Sequence, residues 1–287
     1  MGQPGKGHLV ILSLISIWSR NPLARSDLTI CKISMKSGHI YIGTSAWSYK
    51  SWAEAFYPSD LPASQQLGYY TTKFPTVEVN RTFYSLPTEK ALCDWKRTAP
   101  SGFPYSLKGS RAVTHFKRLQ PGAKSLNLLL DRSKLLGGTR GPLLWQLPGT
   151  LKKGSPSFTQ FHTHVAKAPT RHAIVFRDPS WIDEEVFGIL RKYNVAHAAV
   201  SSQKMPRCLE VTANFVYVRF HGLEGGAAHD YTDRELQPWA TFLQSCANRE
   251  VGGFVYFNND MNARAPLNAF RLMELVGSSA LSPSLPA

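Results

Sequence analysis

The 287-residue chain has only four cysteines, Cys31, Cys93, Cys208 and Cys246, and they lie far apart. That spacing excludes the CxxC pairs of a structural zinc site and the density of a disulfide scaffold, so a hydrophobic core must hold the chain and a reducing cytoplasm is the expected compartment. Nothing near these thiols in sequence lowers a pKa, and small buried apolar positions are expected for them. Long apolar runs are also missing. The run His8 to Trp18 is eleven residues broken by serines, too short to span a bilayer, and no convincing cleavage site follows it. No membrane role is expected. Acids are scarce as well, with 19 Asp and Glu against 33 Lys and Arg, a net charge of +14. The deficit is local. From Lys96 to Lys153, 12 basic residues face one acid, Asp131, whereas from Arg171 onward 11 basic residues face 12 acids. One stretch is therefore a candidate surface for phosphates or nucleic acid, the alternative being a basic solvated face.

A hydrophobic content of 43% with 18% charge is ordinary for a globular protein, and the length suits one α/β barrel. Residues 1–34 differ in character from the rest and are expected to be a disordered extension, with Met35 just before the first good strand. From there short β-branched runs alternate with helical patterns. Strands are expected at Ile40 to Thr44, Thr76 to Val79, Tyr105 to Lys108, Pro142 to Leu147, Ala173 to Phe176, His197 to Ser201, Phe215 to Phe220 and Gly253 to Phe257. Helices are expected at Leu61 to Lys73, Glu89 to Thr98, within Ala123 to Leu135, and at Phe158 to Lys167, Ile182 to Tyr193, Thr232 to Ala247 and Ala265 to Val276. Thr232 with Glu235 has the spacing of a capping box, and Gly277 is a helix stop. Eight strands with intervening helices and no linker predict a single (β/α)₈ barrel over residues 35–277, with a frayed Ser/Pro-rich tail at 278–287.

In such a barrel chemistry gathers at the C-terminal ends of the strands. Those positions hold Trp47 and Tyr49, Asn80 and Tyr84, Lys108, Arg111 and His115, Gln146, Arg177, Asp178 and Trp181, Arg219 and His221, and Asn258, Asn259 and Asp260. Every such loop but the sixth carries polar groups, which points to one shared pocket. Glu78 sits among β-branched residues of the second strand, where an unpaired carboxylate is costly, so it needs a cationic or metal partner.

The segments Ile40 to Tyr49, Asn80-Arg81-Thr82-Phe83-Tyr84, Gly141 to Pro148, Phe176-Arg177-Asp178-Pro179-Ser180-Trp181, Tyr217 to Gly222 and Tyr256 to Asp260 resemble, in order, the signature blocks of the YecE-like proteins, a domain family of unknown function. The resemblance covers about residues 38 to 277. It implies a TIM-type barrel related in shape to sugar isomerases and apurinic-site endonucleases, and no established reaction. The family usually has Gly where Ala46 stands, and commonly Glu where this chain has Val175.

Three constellations follow. Lys108, Arg111, Arg177 and Arg219, with Asn258 and Asn259 as neutral donors, suit phosphate oxygens; the alternative is that the arginines pair with Glu78 and Asp178. Glu78, His115, Asp178, His221 and Asp260 are of types that bind a divalent metal, but without HExxH spacing no metal site or cofactor is assigned; His162 and His164 form an HxH pair on a helix, expected at the surface. Trp47, Tyr49, Phe83, Tyr84 and Trp181 offer an aromatic platform for a sugar ring or an unstacked base, or else a lid over the core. For catalysis, Glu78, Asp178 and Asp260 are candidate bases and His221 a candidate acid. The leading expectation is binding of nucleic acid or a phosphorylated small molecule, with endonuclease-like phosphodiester chemistry. A sugar-type isomerase or lyase and a non-catalytic binding module are the alternatives, and the sequence leaves the oligomeric state open.

Overall fold

A computed structural model describes residues 38–154 and 156–283; the extension expected over residues 1–34 lies outside them. Eight strands, β1 (Ile40–Ser45), β2 (Val77–Val79), β3 (Tyr105–Lys108), β4 (Arg140–Gln146), β5 (His172–Val175), β6 (Val195–Ser201), β7 (Phe215–Phe220) and β8 (Gly252–Phe257), close into a barrel in sequence order. Every neighbouring pair is parallel. Among the described residues α1 (Gln66–Thr71) follows β1, α2 (Glu89–Thr98) follows β2, α3 (Lys124–Ser133) follows β3, α4 (Ser157–Val165) follows β4 and α5 (Glu184–Lys192) follows β5. The β6 to β7 connection has no α-helix; α6 (Asp233–Asn248) follows β7 and α7 (Arg264–Val276) follows β8. This is the expected single TIM-type barrel.

Side-chain alternation sorts each strand into an inward and an outward set. The inward residues form a graded interior. At the bottom Tyr41 stacks on Phe254 with ring centroids 5.2 Å apart, and Phe215 meets the same ring edge-on. Above them the Tyr256 hydroxyl bonds to Thr76 Oγ1 at 2.8 Å and Ser106 Oγ at 2.7 Å. Higher still, the Tyr217 hydroxyl donates to Glu78 Oε2 at 2.7 Å. The outward set packs under the helices: Trp145 lies edge-on to Phe161, and its indole N–H donates to His172 Nδ1 at 3.1 Å.

The β1–β2 seam is short, pairing only Thr44 with Val77 and Ser45 with Glu78. Below it the Tyr70 hydroxyl bridges the strands, accepting from the Thr44 N–H at 2.9 Å and donating to the Thr76 carbonyl at 3.0 Å. A Cβ at Gly43 would stand 2.2 Å from that carbonyl oxygen, so this position requires glycine. Thr232 and Glu235 form the expected capping box of α6, and α7 ends at Gly277, φ 67°. Beyond it, where the composition predicts fraying, Ala280 makes a parallel bridge to Ile40 and the Leu281 N–H donates to the Ile40 carbonyl at 2.9 Å.

Two expectations are corrected. His162 is not a surface residue: Phe158, Phe161, His162 and Val165 form the buried face of α4, and the helical period that turns His162 inward turns His164 outward. Its Nδ1–H donates to the Phe158 carbonyl at 2.7 Å. Of the described cysteines only Cys246 is buried, while Cys208 is half-buried and Cys93 is exposed; on α2 the buried position is the neighbouring Leu92.

Burial pushes His162 down to about 4, His172 to about 3 and His197 to about 4, from an ordinary 6.5. Below pH 6.5 the unfolded chain therefore binds protons that the barrel refuses. Stability is expected to fall steadily as pH drops from 6.5 toward 4, followed as the thermal midpoint, and to fall less steeply in a His197→Leu variant. A midpoint flat across that window would contradict this.

Candidate functional site

The barrel mouth is built on one ion pair. Arg219 Nη2 lies 2.7 Å from Glu78 Oε1, and both side chains are 0% exposed. Glu78 Oε1 also accepts from Ser45 Oγ at 2.7 Å, and Oε2 is held by Tyr217. Burial alone would raise the Glu78 pKa, but Arg219, Lys108 and the two hydroxyl donors together hold it below its ordinary value. Ionised and bonded at both oxygens, it is a poor proton acceptor.

Around this pair the strand ends converge. Arg219 Nη1 donates to His221 Nε2 at 3.1 Å and Nη2 to Asn258 Oδ1 at 3.3 Å. Asn80 Nδ2 donates to the same Asn258 oxygen at 3.1 Å. Arg177 Nη2 reaches His221 Nε2 at 3.0 Å and Gln146 Oε1 at 3.2 Å. Two guanidinium donors on one ring nitrogen require its lone pair, which assigns a neutral His221 with its proton on Nδ1. Burial and then Arg219, Arg177 and Lys108 push the His221 pKa well down, in agreement. Lys108 is 9% exposed, with Nζ 4.5 Å above the Phe83 ring. Burial and Arg219 lower its pKa to about 7, with Arg177 adding to them and Glu78 opposing. Among the described residues neither Lys108 nor Arg177 forms an ion pair, because Arg219 takes the one carboxylate at the centre.

Glu78, Asn80, Lys108, Gln146, Arg177, Arg219, His221 and Asn258 thus meet at the mouth, and the other expected positions surround it. Trp47 lies edge-on to Trp95 at 5.6 Å. Together with Asn80, Arg81, Leu86 and Thr88 these two rings line a cavity of about 580 Å³ beside the charged cluster. Asn80 belongs to both. The Tyr49 hydroxyl donates to the Ser45 carbonyl at 2.6 Å. Tyr84, 66% exposed, and Phe116, 69% exposed, flank the Arg111 guanidinium, whose carbon is 5.3 Å from one ring and 5.4 Å from the other. His115 bonds to Thr114 Oγ1 at 2.9 Å and packs edge-on to Phe83.

Three expected residues, Asp178, Trp181 and Asn259, face elsewhere. Asp178 caps the 3₁₀ turn Pro179–Trp181, accepts from the Ser180 N–H at 3.1 Å and pairs with Lys152; Lys152 and Ser180 hold its carboxylate down to about 2. Trp181 is buried, its ring stacked on Phe176 and its N–H donated to the Leu151 carbonyl at 2.7 Å. It plugs the core and leaves the aromatic platform without it. Asn259 braces the rim, donating to Asn268 Oδ1 at 2.7 Å and the His229 carbonyl at 2.8 Å. Asp260 stays at the rim: its carbonyl accepts from the Trp52 indole at 3.1 Å, burial and then the charges of Asp260 and Glu78 raise the Tyr49 pKa, and burial raises the pKa of Asp260 itself. Among the described residues no group of three or more His, Cys, Asp or Glu side chains is placed to hold a metal ion. Part of the basic stretch is internally spent: Arg97 pairs with Asp94, Lys134 with Asp131, Lys152 with Asp178 and Lys153 with Asp183.

Ser45, Tyr217 and Trp95 were missed by sequence reading. Strand alternation carries a signal for Tyr217, two positions before Arg219; none exists for Trp95, which comes from the flank of α2. Val175 is buried and inward by the same alternation, in register with Gln146. The place where the resemblance sets a glutamate therefore faces this mouth and carries no charge.

Breaking the central pair leaves a buried charge alone. Glu78→Gln is expected to lose about 3–5 kcal/mol of unfolding free energy in urea titration; a loss under about 1 kcal/mol would show that the pair is not the keystone. Ala46 has φ 82°, in the left-handed region that glycine occupies freely. Ala46→Gly should therefore raise stability by about 1 kcal/mol in the same assay, and a fall would overturn that view of the turn.

Residues 41–287 match the family described as Protein of unknown function DUF72. UPF0759 protein YunF of Bacillus subtilis is 24% identical over 280 residues, covering 85% of this chain and 98% of that protein. The crystal structure of a DUF72 family protein from Thermotoga maritima superposes with a TM-score of 0.74 at 25% identity, covering 83% of this chain and 99% of the other. One from Enterococcus faecalis gives 0.72 at 16% identity, covering 86% and 99%. Among the described residues no helix is long and apolar enough to cross a membrane. A closed eight-stranded barrel, polar strand ends drawn to one mouth and a family match across most of its length place this chain in the DUF72 family of proteins of unknown function.

Proposed function

We propose that the barrel mouth binds a phosphate-bearing small molecule of the cytoplasm, its anionic group on Arg177 and its uncharged body passing Lys108 and Asn80 into the cavity beside Trp47 and Trp95. One observation carries this reading: Arg177 sits at the mouth without an acid partner among the described residues, because the buried carboxylate of the cluster, Glu78, is held by Arg219. Charges drawn out of water need a counter-charge, and among the described residues Arg177 has only the neutral acceptors Gln146 and His221. A guanidinium presents paired donors that suit phosphate oxygens. The cavity, about 580 Å³, is in the size range of small-ligand pockets. Val175 supports the same conclusion, since a carboxylate there would neutralise the excess.

Calorimetric titration with inorganic phosphate and with glycolaldehyde phosphate tests this. Binding is expected, and Arg177→Gln should weaken it by about tenfold or more. Val175→Glu, which supplies the missing carboxylate, should weaken it similarly. No affinity, or affinity indifferent to both changes, would remove the phosphate site.

The exposed Tyr84–Arg111–Phe116 ladder favours a second reading, in which single-stranded nucleic acid stacks at the rim. Filter binding across a salt series decides it: affinity falling steeply with salt supports this reading, and absent or salt-indifferent binding ends it.

A further inference from the structure

Lys108 is the one cation of the mouth with neither a carboxylate nor a hydrogen-bond acceptor among the described residues, and its amine is free for chemistry. Its Nζ rests on the face of Phe83, which shields it from water without accepting a hydrogen bond of ordinary strength. It extends from the last residue of β3, so the backbone beneath it is fixed by the barrel. Facing it are Glu78 from β2, Arg177 after β5, Arg219 and His221 from β7 and its extension, and His115 from the π-helical turn Ala112–Phe116. Two of these are fixed cations, and the one acid is bound to Arg219.

We propose that Lys108 is an amine nucleophile that condenses with an aldehyde or ketone carbonyl of the phosphate-bearing ligand. The inference rests on the phosphate reading above for the ligand class and on the lysine's own surroundings for the chemistry. Cations crowding a desolvated amine favour its unprotonated form, and the pKa pushed down to about 7 leaves much of it neutral at neutral pH. The Nζ lone pair adds to the carbonyl carbon and forms a C–N bond. The former carbonyl oxygen takes up two protons, those given up by nitrogen, and leaves as water, giving an imine. Protonation of the imine gives an iminium, an electron sink for breaking a bond at the adjacent carbon. No oxidant or reductant is consumed. Glu78, bonded at both oxygens, takes no part as base; it positions Arg219 and offsets part of the charge around the amine.

The full-length protein is incubated with sodium cyanoborohydride and either glycolaldehyde phosphate or glycolaldehyde, then mapped by peptide mass spectrometry. Cyanoborohydride delivers hydride to the iminium carbon and fixes the adduct as a secondary amine. The expected result is that Lys108 is labelled ahead of the surface lysines, at a rate rising as pH passes about 7. The phosphorylated aldehyde should react about tenfold faster or more, and inorganic phosphate should protect. Lys108→Arg, which keeps the charge and removes the nucleophile, should lose the adduct while retaining calorimetric phosphate affinity. Labelling confined to surface lysines overturns the nucleophile while leaving the phosphate site standing on its own titration. Equal labelling of Lys108 by both aldehydes, without protection by phosphate, keeps the nucleophile and overturns the phosphate-bearing ligand.

Discussion

Two charges buried together at the top of a closed sheet constrain nearly everything above them. Glu78 and Arg219 come from β2 and β7, with β1 and β8 between them on one side of the ring, and their contact is made wholly out of water. Such a pair survives only where further hydrogen bonds satisfy both partners. Ser45 and Tyr217 do this for the carboxylate; His221 and Asn258 do it for the two Nη groups of the guanidinium, while its buried Nε has no hydrogen-bond partner among the described residues. Six side chains from β1, β2, β7 and β8 or the residues just beyond them are thereby locked into one network. The same locking takes the fully buried carboxylate of the cluster out of service, which is why, among the described residues, Arg177 and Lys108 remain without an ion-pair partner.

The interior beneath is graded to make this possible. Stacked aromatic rings fill the bottom, hydroxyl-bearing tyrosines the middle, and charge the top. Each tyrosine buries a ring and extends a polar tip toward the layer above, so no abrupt boundary separates hydrocarbon from ion. On the far side of the ring the inward positions of β5 and β6, among them Ala173, Val175, Ala196 and Ala198, are small or apolar and buried. The polar half of the mouth is therefore lopsided, and its unbalanced charge points toward the region between β2, β3 and β5 where Lys108 and Arg177 stand. That asymmetry, more than any single residue, is what the proposal of an anion ligand rests on.

Much of this was legible in the chain. β-branched runs ending in polar, aromatic loops fix eight strands and their inward ends, and eight of the expected site residues converge. Alternation from Arg219 back to Tyr217 would have found the tyrosine that clamps Glu78. What escaped is set by local turns and by neighbours distant in sequence. Pro179 starts a tight turn that swings Trp181 into the core and commits Asp178 to capping. Trp95 reaches the cavity from the flank of α2, and the inward face of α4 takes up His162. Whether Arg219 or Arg177 would win Glu78 is a matter of distances, which no spacing encodes.

The central claim is that the mouth holds positive charge in excess of its own acids, awaiting an anion. Crystals grown free of phosphate and sulfate and soaked in tungstate, with the anomalous signal of tungsten located, test it most directly. The account places the ion within hydrogen-bond distance of Arg177, with Glu78 and Arg219 still joined. Crystals in which tungsten avoids the mouth and Lys108 turns to share Glu78 would contradict it.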